Sequence, residues 1–359
     1  MEKGSTRRLK GKAPEVGKRD SVYVGLDVHK HSVHAAVRIN GKEHGTAVLP
    51  ADPRTVLRFL EPYRAGLKSV VYEAGPTGFG LFRVLRGAGM PAKGVAPGKI
   101  PRPAVAGAKS DQLDCRKLAE FEEKDLLHEV AAPTPEQEAD RQVQRLRDSI
   151  LKRRRQAKQK IMGFLLQHGL PEPPKLDAWG EAALATLQKM PMSPGLRFSL
   201  DLLLEDYYHL AEQLKTVNKR LKELASSQRH AEAIRRLRTH PGVGEVTSMQ
   251  VLTELYQPRR FNNAKEVAAY VGLAPQIRQS GQTRIEGGTL RGGRGALRAT
   301  LVEASWMWLR VDKSAGKFYG RLVKNTGSAK KAIVALARKL LVHLWTMLVR
   351  EEDYRRCAV

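Results

Sequence analysis

Apolar residues come in short β-type blocks over the first third of the chain and switch to helical spacing over the remainder. Ser21–Val28 is a β-rich apolar run carrying one acid, Asp27, near its end. His34–Ile39 follows as a second strand, Asn40-Gly41 is a two-residue hairpin turn, and Glu43–Leu49 supplies a third strand. Pro53–Tyr63 has helical spacing, and Ser69–Glu73 is a further buried strand that again ends in an acid. Gly78–Gly89 reads as a helix and Ala92–Ala96 as a short strand before a Pro-rich loop. A three-strand meander followed by alternating strand and helix predicts an α/β region with a mixed sheet.

A helix is predicted to begin after that loop, at Lys109-Ser110-Asp111-Gln112-Leu113-Asp114, with Ser110 as N-cap and Leu113, Leu118 and Phe121 continuing the period. Asp111 and Asp114 then share one side of its first turn. Thr134 to about Ser227 turns rich in Gln, Lys, Arg, Glu and Leu, with a break at Pro171–Pro174. Leu203, Tyr207, Leu210, Leu214, Val217, Leu221 and Leu224 make a heptad seam, and Val143, Leu146, Ile150, Ala157, Ile161 and Phe164 a poorer one. These predict an antiparallel helical pair able to self-associate. Beyond Leu237, Pro241-Gly242-Val243-Gly244-Glu245 lies between helical segments, Phe261–Val271 is another helix, and Gly272 to Arg298 reads as a Gly- and Arg-rich loop. Trp306 and Trp308 read as core of the next helix, and Ser328–Arg350 as a closing amphipathic helix. The predicted organisation is a basic tail (1–20) suited to loose phosphate contact, an α/β region (21–133), a coiled-coil region (134–230) and a mainly helical region (231–359).

Charge narrows the function. Lys+Arg 63 against Asp+Glu 37 gives a net charge of +26, a surplus that fits a polyanionic partner, above all nucleic acid. Two cysteines, Cys115 and Cys357, exclude a disulfide framework or a zinc ribbon and fit a reducing cytoplasm. The basic start of the chain carries no apolar signal segment, and Arg338, Lys339 and His343 interrupt Ala332–Val349, so no membrane span is expected.

Asp27, Glu73, Asp111 and Asp114 carry the candidate chemistry. Separately, each has an ordinary explanation: a capped strand end, a solvated acid before a Gly-Pro turn, or acids complementing a helix dipole. Converging on one sheet edge they would repel one another unless divalent cations lay between them, which implies Mg2+ or Mn2+. Two such ions activate an attacking oxygen and stabilise a leaving one on a phosphodiester. The Gly242–Gly244 turn looks like a helix-hairpin-helix element whose backbone amides meet a phosphate, or an ordinary interhelical turn. Ser280 and Gly281, flanked by Arg278, Arg284, Arg291 and Arg294, put a small hydroxyl among cations. On the residues alone, phosphate binding is favoured there over nucleophilic attack, because no His or Lys base is adjacent.

YVGLDVHK around Asp27, VVYEAGPTGFGL around Glu73, AKSDQLDCRKLAEF around Asp111 and Asp114, HPGVGEVTS, FNNAKEVAAYVGLAP and the QSGQTRIEGG loop with Ser280 together resemble the DEDD-type transposases of bacterial insertion sequences, RNA-guided recombinases that work with a structured bridge RNA. The resemblance spans Tyr23 to Met347. It implies an N-terminal RuvC-like domain of the ribonuclease H fold, a coiled-coil middle and a C-terminal transposase domain. It further implies that Asp27, Glu73, Asp111 and Asp114 are metal ligands and Ser280 the nucleophile of a covalent phosphoserine step. Lys109, Gly242, Gly244, Arg278, Gly281, Arg284, Arg291 and Arg294 become nucleic-acid contacts. The implied partners are donor and target DNA, the guide RNA and further copies of the chain, as dimer or tetramer, in a bacterial cytoplasm. Two features depart from the family pattern: Gln279 precedes Ser280 where many relatives carry paired serines, and Arg291-Gly292-Gly293-Arg294 stands where a Lys or Asn is common. Two other readings remain: a metal-dependent Holliday-junction-type nuclease using water, and a non-enzymatic nucleic-acid-binding protein.

Overall fold

The computed structural model describes residues 15–101, 111–280, 283–289 and 292–355. It divides into two compact units, Met1–Pro133 and Thr134–Val359.

The first unit is built on five strands, β1 (Val22–Val28), β2 (Ser32–Ile39), β3 (Lys42–Pro50), β4 (Leu67–Glu73) and β5 (Ala92–Val95), with helices α1 (Pro53–Leu60), α2 (Gly80–Gly87) and α3 (Asp111–Glu123). Sheet order is β3-β2-β1-β4-β5. The meander β1–β2–β3 is antiparallel, and β1, β4 and β5 run parallel. Asn40 (φ 48°) and Gly41 (φ 82°) make the β2–β3 turn, both left-handed as a two-residue hairpin requires. Alternation along β1 sends Val22, Val24 and Leu26 into a core with Val56 and Leu60 of α1 and Leu85 of α2. The opposite face of the sheet takes α3. A Cβ on Gly25 would lie 2.1 Å from the Cys115 carbonyl oxygen and 2.6 Å from the Ala119 nitrogen, so α3 sits directly on the β1 backbone.

Residues 15–20 depart from the expected disordered tail. Asp20 closes a turn by accepting from the Gly17 amide (2.8 Å) and from Asn40 Nδ2 (2.7 Å), and the latter bond joins this segment to the β2–β3 turn. Met1–Pro14 lie outside the described residues.

The second unit begins with α4 (Pro135–Gln167), opened by a capping box between Thr134 and Gln137, followed by α5 (Glu181–Lys189) and α6 (Pro194–Ala225). Arg147 Nε donates to Asn218 Oδ1 (2.8 Å), and Lys158 lies 5.9 Å over the Tyr207 ring, so α4 and α6 run antiparallel. The α6 seam is filled from within the chain, by Ile150, Ala157 and Ile161 of α4 and by Leu184 and Leu187 of α5. Next come α7 (Ala231–Arg238), α8 (Glu245–Leu255) and α9 (Ala264–Val271), then strands β6 (Pro275–Ser280) and β7 (Thr283–Thr289), and finally α10 (Gly295–Val311), α11 (Lys313–Thr326) and α12 (Ala329–Arg350). The last helix is long and apolar enough to cross a membrane by length and composition, but Leu336, Leu340, Leu341 and Leu344 place it at the centre of this unit's second core.

Two expectations need correcting. Gly272–Arg298, read as a loop, contains an antiparallel hairpin in which Ser280 pairs with Thr283. Each strand is too short for its alternation to stand out among so many glycines and cations, yet Ile277, Thr283, Ile285 and Thr289 are β-branched. Trp306, read as core, is 41% exposed, whereas Trp308 is 2% exposed and donates its indole N–H to Asp312.

Candidate active site and nucleic-acid surfaces

Sheet register places the first two acids. Gly25 pairs with Val71 and Leu26 with Tyr72 across the parallel β1–β4 ladder, so Asp27 and Glu73 stand one residue beyond its last rung, side by side at the carboxyl ends of adjacent strands. Asp27 shares its face with Gly25, and Glu73 shares its face with Val71, which packs beside Leu118 of α3. Both acids therefore stand on the side of the sheet covered by α3.

The direction of α3 supplies the second pair. At its C-terminus Glu123 accepts from Arg38 Nε (2.6 Å) and from the Gly41 amide (2.9 Å), which pins that end beside the β2–β3 turn. The helix runs back along β1, and its first turn, bearing Asp111 and Asp114, lies toward the end of the sheet where Asp27 and Glu73 emerge. Cys115, next to Asp114, is buried, and desolvation together with the nearby Asp27 carboxylate pushes its thiol up to about 12.

Asp27 Oδ2 also lies 3.1 Å from His29 Nε2, whose ring stands edge-on to His34 at 5.8 Å. Sequence reasoning passed over His29, although its place two residues after Asp27 was a usable signal. The four candidate acids would offer hard carboxylate oxygens, a donor type suited to Mg2+ or Mn2+. Among the described residues no three His, Cys, Asp or Glu side chains gather tightly enough to hold an ion. The Asp111 side chain and Lys109 lie outside the described residues.

In the second unit Ser280 ends β6, one residue before the hairpin turn. Gly281 and Arg291 lie outside the described residues, as do the side chains of Ser280, Arg278 and Arg284. Arg294 is engaged inside the protein: Nε lies 3.3 Å from Glu254 Oε2 and 3.3 Å from the Tyr270 hydroxyl, contacts that raise its pKa against the opposing effect of burial. Glu254 is also held by Arg145 Nε at 3.0 Å, so one buried carboxylate ties α4 and α8 to the start of α10. This network carried no sequence signal, because its partners are 109 and 40 residues from Glu254.

The turn before α8 shows why its glycines differ. Gly242 (φ 80°) packs where a Cβ would stand 2.5 Å from the Trp308 nitrogen, so its missing side chain is required by α10. Gly244 caps α8 in extended conformation, with open space where a Cβ would stand. Beside this turn a surface groove of about 480 Å3 is lined by Arg235, Arg238, Thr239 and Glu245. His240, just before the turn, is buried, and its Nε2 lies 3.2 Å from His343 Nδ1. Burial lowers both imidazoles to about 4, so both are neutral near pH 7.

Comparison with known proteins fits this layout. Residues 24–169 match a transposase family of the DEDD class of IS110 elements, and residues 234–320 match the family described as Transposase IS116/IS110/IS902. The chain is 31% identical to the y4rJ protein of Sinorhizobium fredii over 77% of this chain and 76% of that protein. It is 28% identical to the transposase for insertion sequence element IS1533 of Leptospira borgpetersenii, over 90% of this chain and 94% of that one. Against the transposase for IS1111A of Coxiella burnetii it is 26% identical, over 80% and 79% of the two chains. With both of its units matched and this overlap along its length, the chain belongs to the IS110 family of DEDD transposases, enzymes that cut and rejoin DNA.

Proposed function

We propose that this transposase excises and inserts its own element by serine attack on DNA phosphodiesters, assisted by divalent metal held on Asp27, Glu73, Asp111 and Asp114, with sites chosen by a structured guide RNA. The observation that carries this reading is the β1–β4 register together with the direction of α3, which brings strand-end and helix-start acids toward one end of a sheet. The strand order β3-β2-β1-β4-β5, with β2 antiparallel to its neighbours, supports a RuvC-like, ribonuclease H-type domain. Bound Mg2+ or Mn2+ supplies Lewis-acid stabilisation of charge on the phosphodiester oxygens.

The protein's own groups divide the remaining work. Asp27, Glu73 and the two acids of α3 would hold the ions, and the docking of α3 on Gly25 limits how far its first turn can move relative to β1. Ser280 Oγ forms a bond to phosphorus as the bond from phosphorus to the deoxyribose oxygen breaks; the serine proton passes to solvent, and the leaving deoxyribose oxygen takes up a proton to become a free hydroxyl. Rejoining reverses the exchange: a deoxyribose hydroxyl of the new strand attacks the phosphoserine and returns Ser280 to the free hydroxyl. One phosphodiester is conserved throughout, so no external energy is needed. Dimers or tetramers acting in the bacterial cytoplasm complete the reading.

Ser280→Ala is expected to remove covalent protein–DNA adducts and to lower strand exchange by roughly 10^4-fold or more. Denaturing gels with end-labelled donor DNA, run with co-purified RNA present, read both. Full cleavage by Ser280→Ala would transfer the chemistry to water and leave a junction-type nuclease. Unchanged rearrangement by Asp111→Ala would remove the acids from the reaction.

A further inference from the structure

Most arginines of the second unit that lie near an acid are paired with it: Arg235 with Glu232 and Asp353, Arg236 with Glu351, Arg145 and Arg294 with Glu254. The stretch around α11 differs. Residues 310–331 carry seven cations, Arg310, Lys313, Lys317, Arg321, Lys324, Lys330 and Lys331, and one acid, Asp312. Asp312 is buried and already serves as the cap of α11, accepting from the Ser314 amide (2.9 Å), and as acceptor for the Trp308 indole. All seven cations are exposed, and among the described residues none forms an ion pair.

Their arrangement is directional. Lys313, Lys317, Arg321 and Lys324 follow 4-4-3 spacing, which at the helical repeat confines them to about 80° of arc along about 16 Å of axis. Ala315, Phe318, Tyr319 and Leu322 occupy the other side of α11 and pack on the core, so the cationic stripe is the face turned to solvent. By contrast the contiguous run Lys152-Arg153-Arg154-Arg155 on α4 fans around its helix and presents no single face. Holding four cations without acid partners in one row, with only Arg321 resting 5.7 Å over the Phe318 ring, costs mutual repulsion, which an external row of anions relieves. All four stripe positions are cations, and Asn325 is the one exposed amide beside them, so the chemistry of the stripe is mainly that of a phosphate tracker.

We propose that the solvent face of α11, continued by Arg310 and by Lys330 and Lys331, is a docking surface for the sugar-phosphate backbone of a nucleic-acid strand, formed by residues other than those of the Ser280 hairpin and the turn before α8. At about 3.4 Å per nucleotide the stripe spans roughly five phosphates. Contact is independent of sequence and positions the strand without choosing it. The proposal rests on the chain's being a nucleic-acid enzyme but not on the role of Ser280.

The test is the salt dependence of binding by the full-length triple variant Lys317→Gln/Arg321→Gln/Lys324→Gln, measured against random-sequence duplex DNA and against RNA that co-purifies with the wild type. Loss of three phosphate contacts flattens the slope of log K against log salt by roughly 2 to 3. A flattening confined to DNA or to RNA identifies the strand that docks. The control Lys215→Gln/Arg220→Gln removes cations already paired with Glu212 and Glu223 and is expected to leave the slope unchanged. A triple variant that matches the control with both probes overturns the proposal, as does a wild type with no salt dependence. Ser280→Ala should keep the wild-type slope while losing adducts, so failure of the serine reading and failure of this surface are read on different axes. Circular dichroism melts of the triple variant verify that the exposed changes leave the fold intact.

Discussion

The two units place charge by opposite means. In the sheet unit the candidate acids are set by the backbone: strand register brings Asp27 beside Glu73, and the approach of α3 to Gly25 sets the distance to its first turn. In the helical unit charge is set by side chains, either locked in pairs such as Arg145–Glu254 or left without an acid partner along α11. Backbone placement is stiff and depends on a close approach that tolerates no added atom, whereas side-chain placement can adjust to a partner. Stiffness suits groups that must hold an ion at fixed spacing. Adjustability suits groups that follow a flexible polyanion.

The contrast breaks most visibly at Gly25. Its alanine variant puts a Cβ against backbone atoms of α3, and neither strand nor helix can move without giving up its own hydrogen bonds. A loss of about 3 kcal/mol or more in the sheet unit is expected, by urea melts, with strand exchange lost alongside. Gly242→Ala makes the matching change in the helical unit, where a Cβ meets the Trp308 backbone and φ is 80°. Because it sits on a turn that can shift, about 1 to 3 kcal/mol is expected there, with the acid face untouched. Equal losses at both sites would show that the sheet unit is no stiffer than the helical one.

How much of this the sequence made legible follows the same division. Register and hairpin geometry are local, so the meander, the Asn40-Gly41 turn and the strand-end acids could be read directly from alternation. The heptad seam of α6 marked a helical pair, and the structure fills it from α4 and α5 of the same chain. The β6–β7 hairpin was hidden among glycines and arginines, where charge outweighed a faint β-branched signal. Trp306 and Trp308 are two residues apart and lie on different sides of α10, a distinction that depends on which face α12 and α11 cover. Gly25 stood in an apolar strand where a glycine usually marks the close approach of another backbone, and only α3 in place shows which. The Glu254 network joins residues far apart in sequence and was beyond any local pattern.

A smaller effect separates the units by pH. His240 and His343 have folded values of about 4, below the ordinary 6.5, because burial disfavours their charged forms. Between those values the unfolded chain binds more protons, so stability of the helical unit is fully present above pH 6.5 and falls as pH drops through that window toward 4. By pH 4 a loss of the order of 3 kcal/mol per imidazole is expected relative to neutral pH. Replacing His343 by Gln should flatten the dependence of the melting temperature over that range relative to the wild type. If the two curves stay parallel, the buried imidazoles contribute nothing and carboxylates account for the whole slope.

The smallest effect is the most direct probe of the sheet unit's stiffness. Cys115 is buried where α3 crosses β1, and with a thiol pushed up to about 12 it holds almost no thiolate at pH 8. Since the thiolate is the reactive form, labelling by an aromatic disulfide requires α3 to lift from the sheet. In a Cys357→Ser background, which leaves Cys115 as the sole thiol, labelling should be slow and should track the opening of that one contact. A moderate destabilisation elsewhere, such as Gly242→Ala, is expected to leave the rate unchanged, while any change that loosens α3 on Gly25 should raise it. Rapid labelling of the native protein would mean that α3 leaves the sheet readily, and the acids at its first turn would then lack the fixed spacing attributed to the sheet unit.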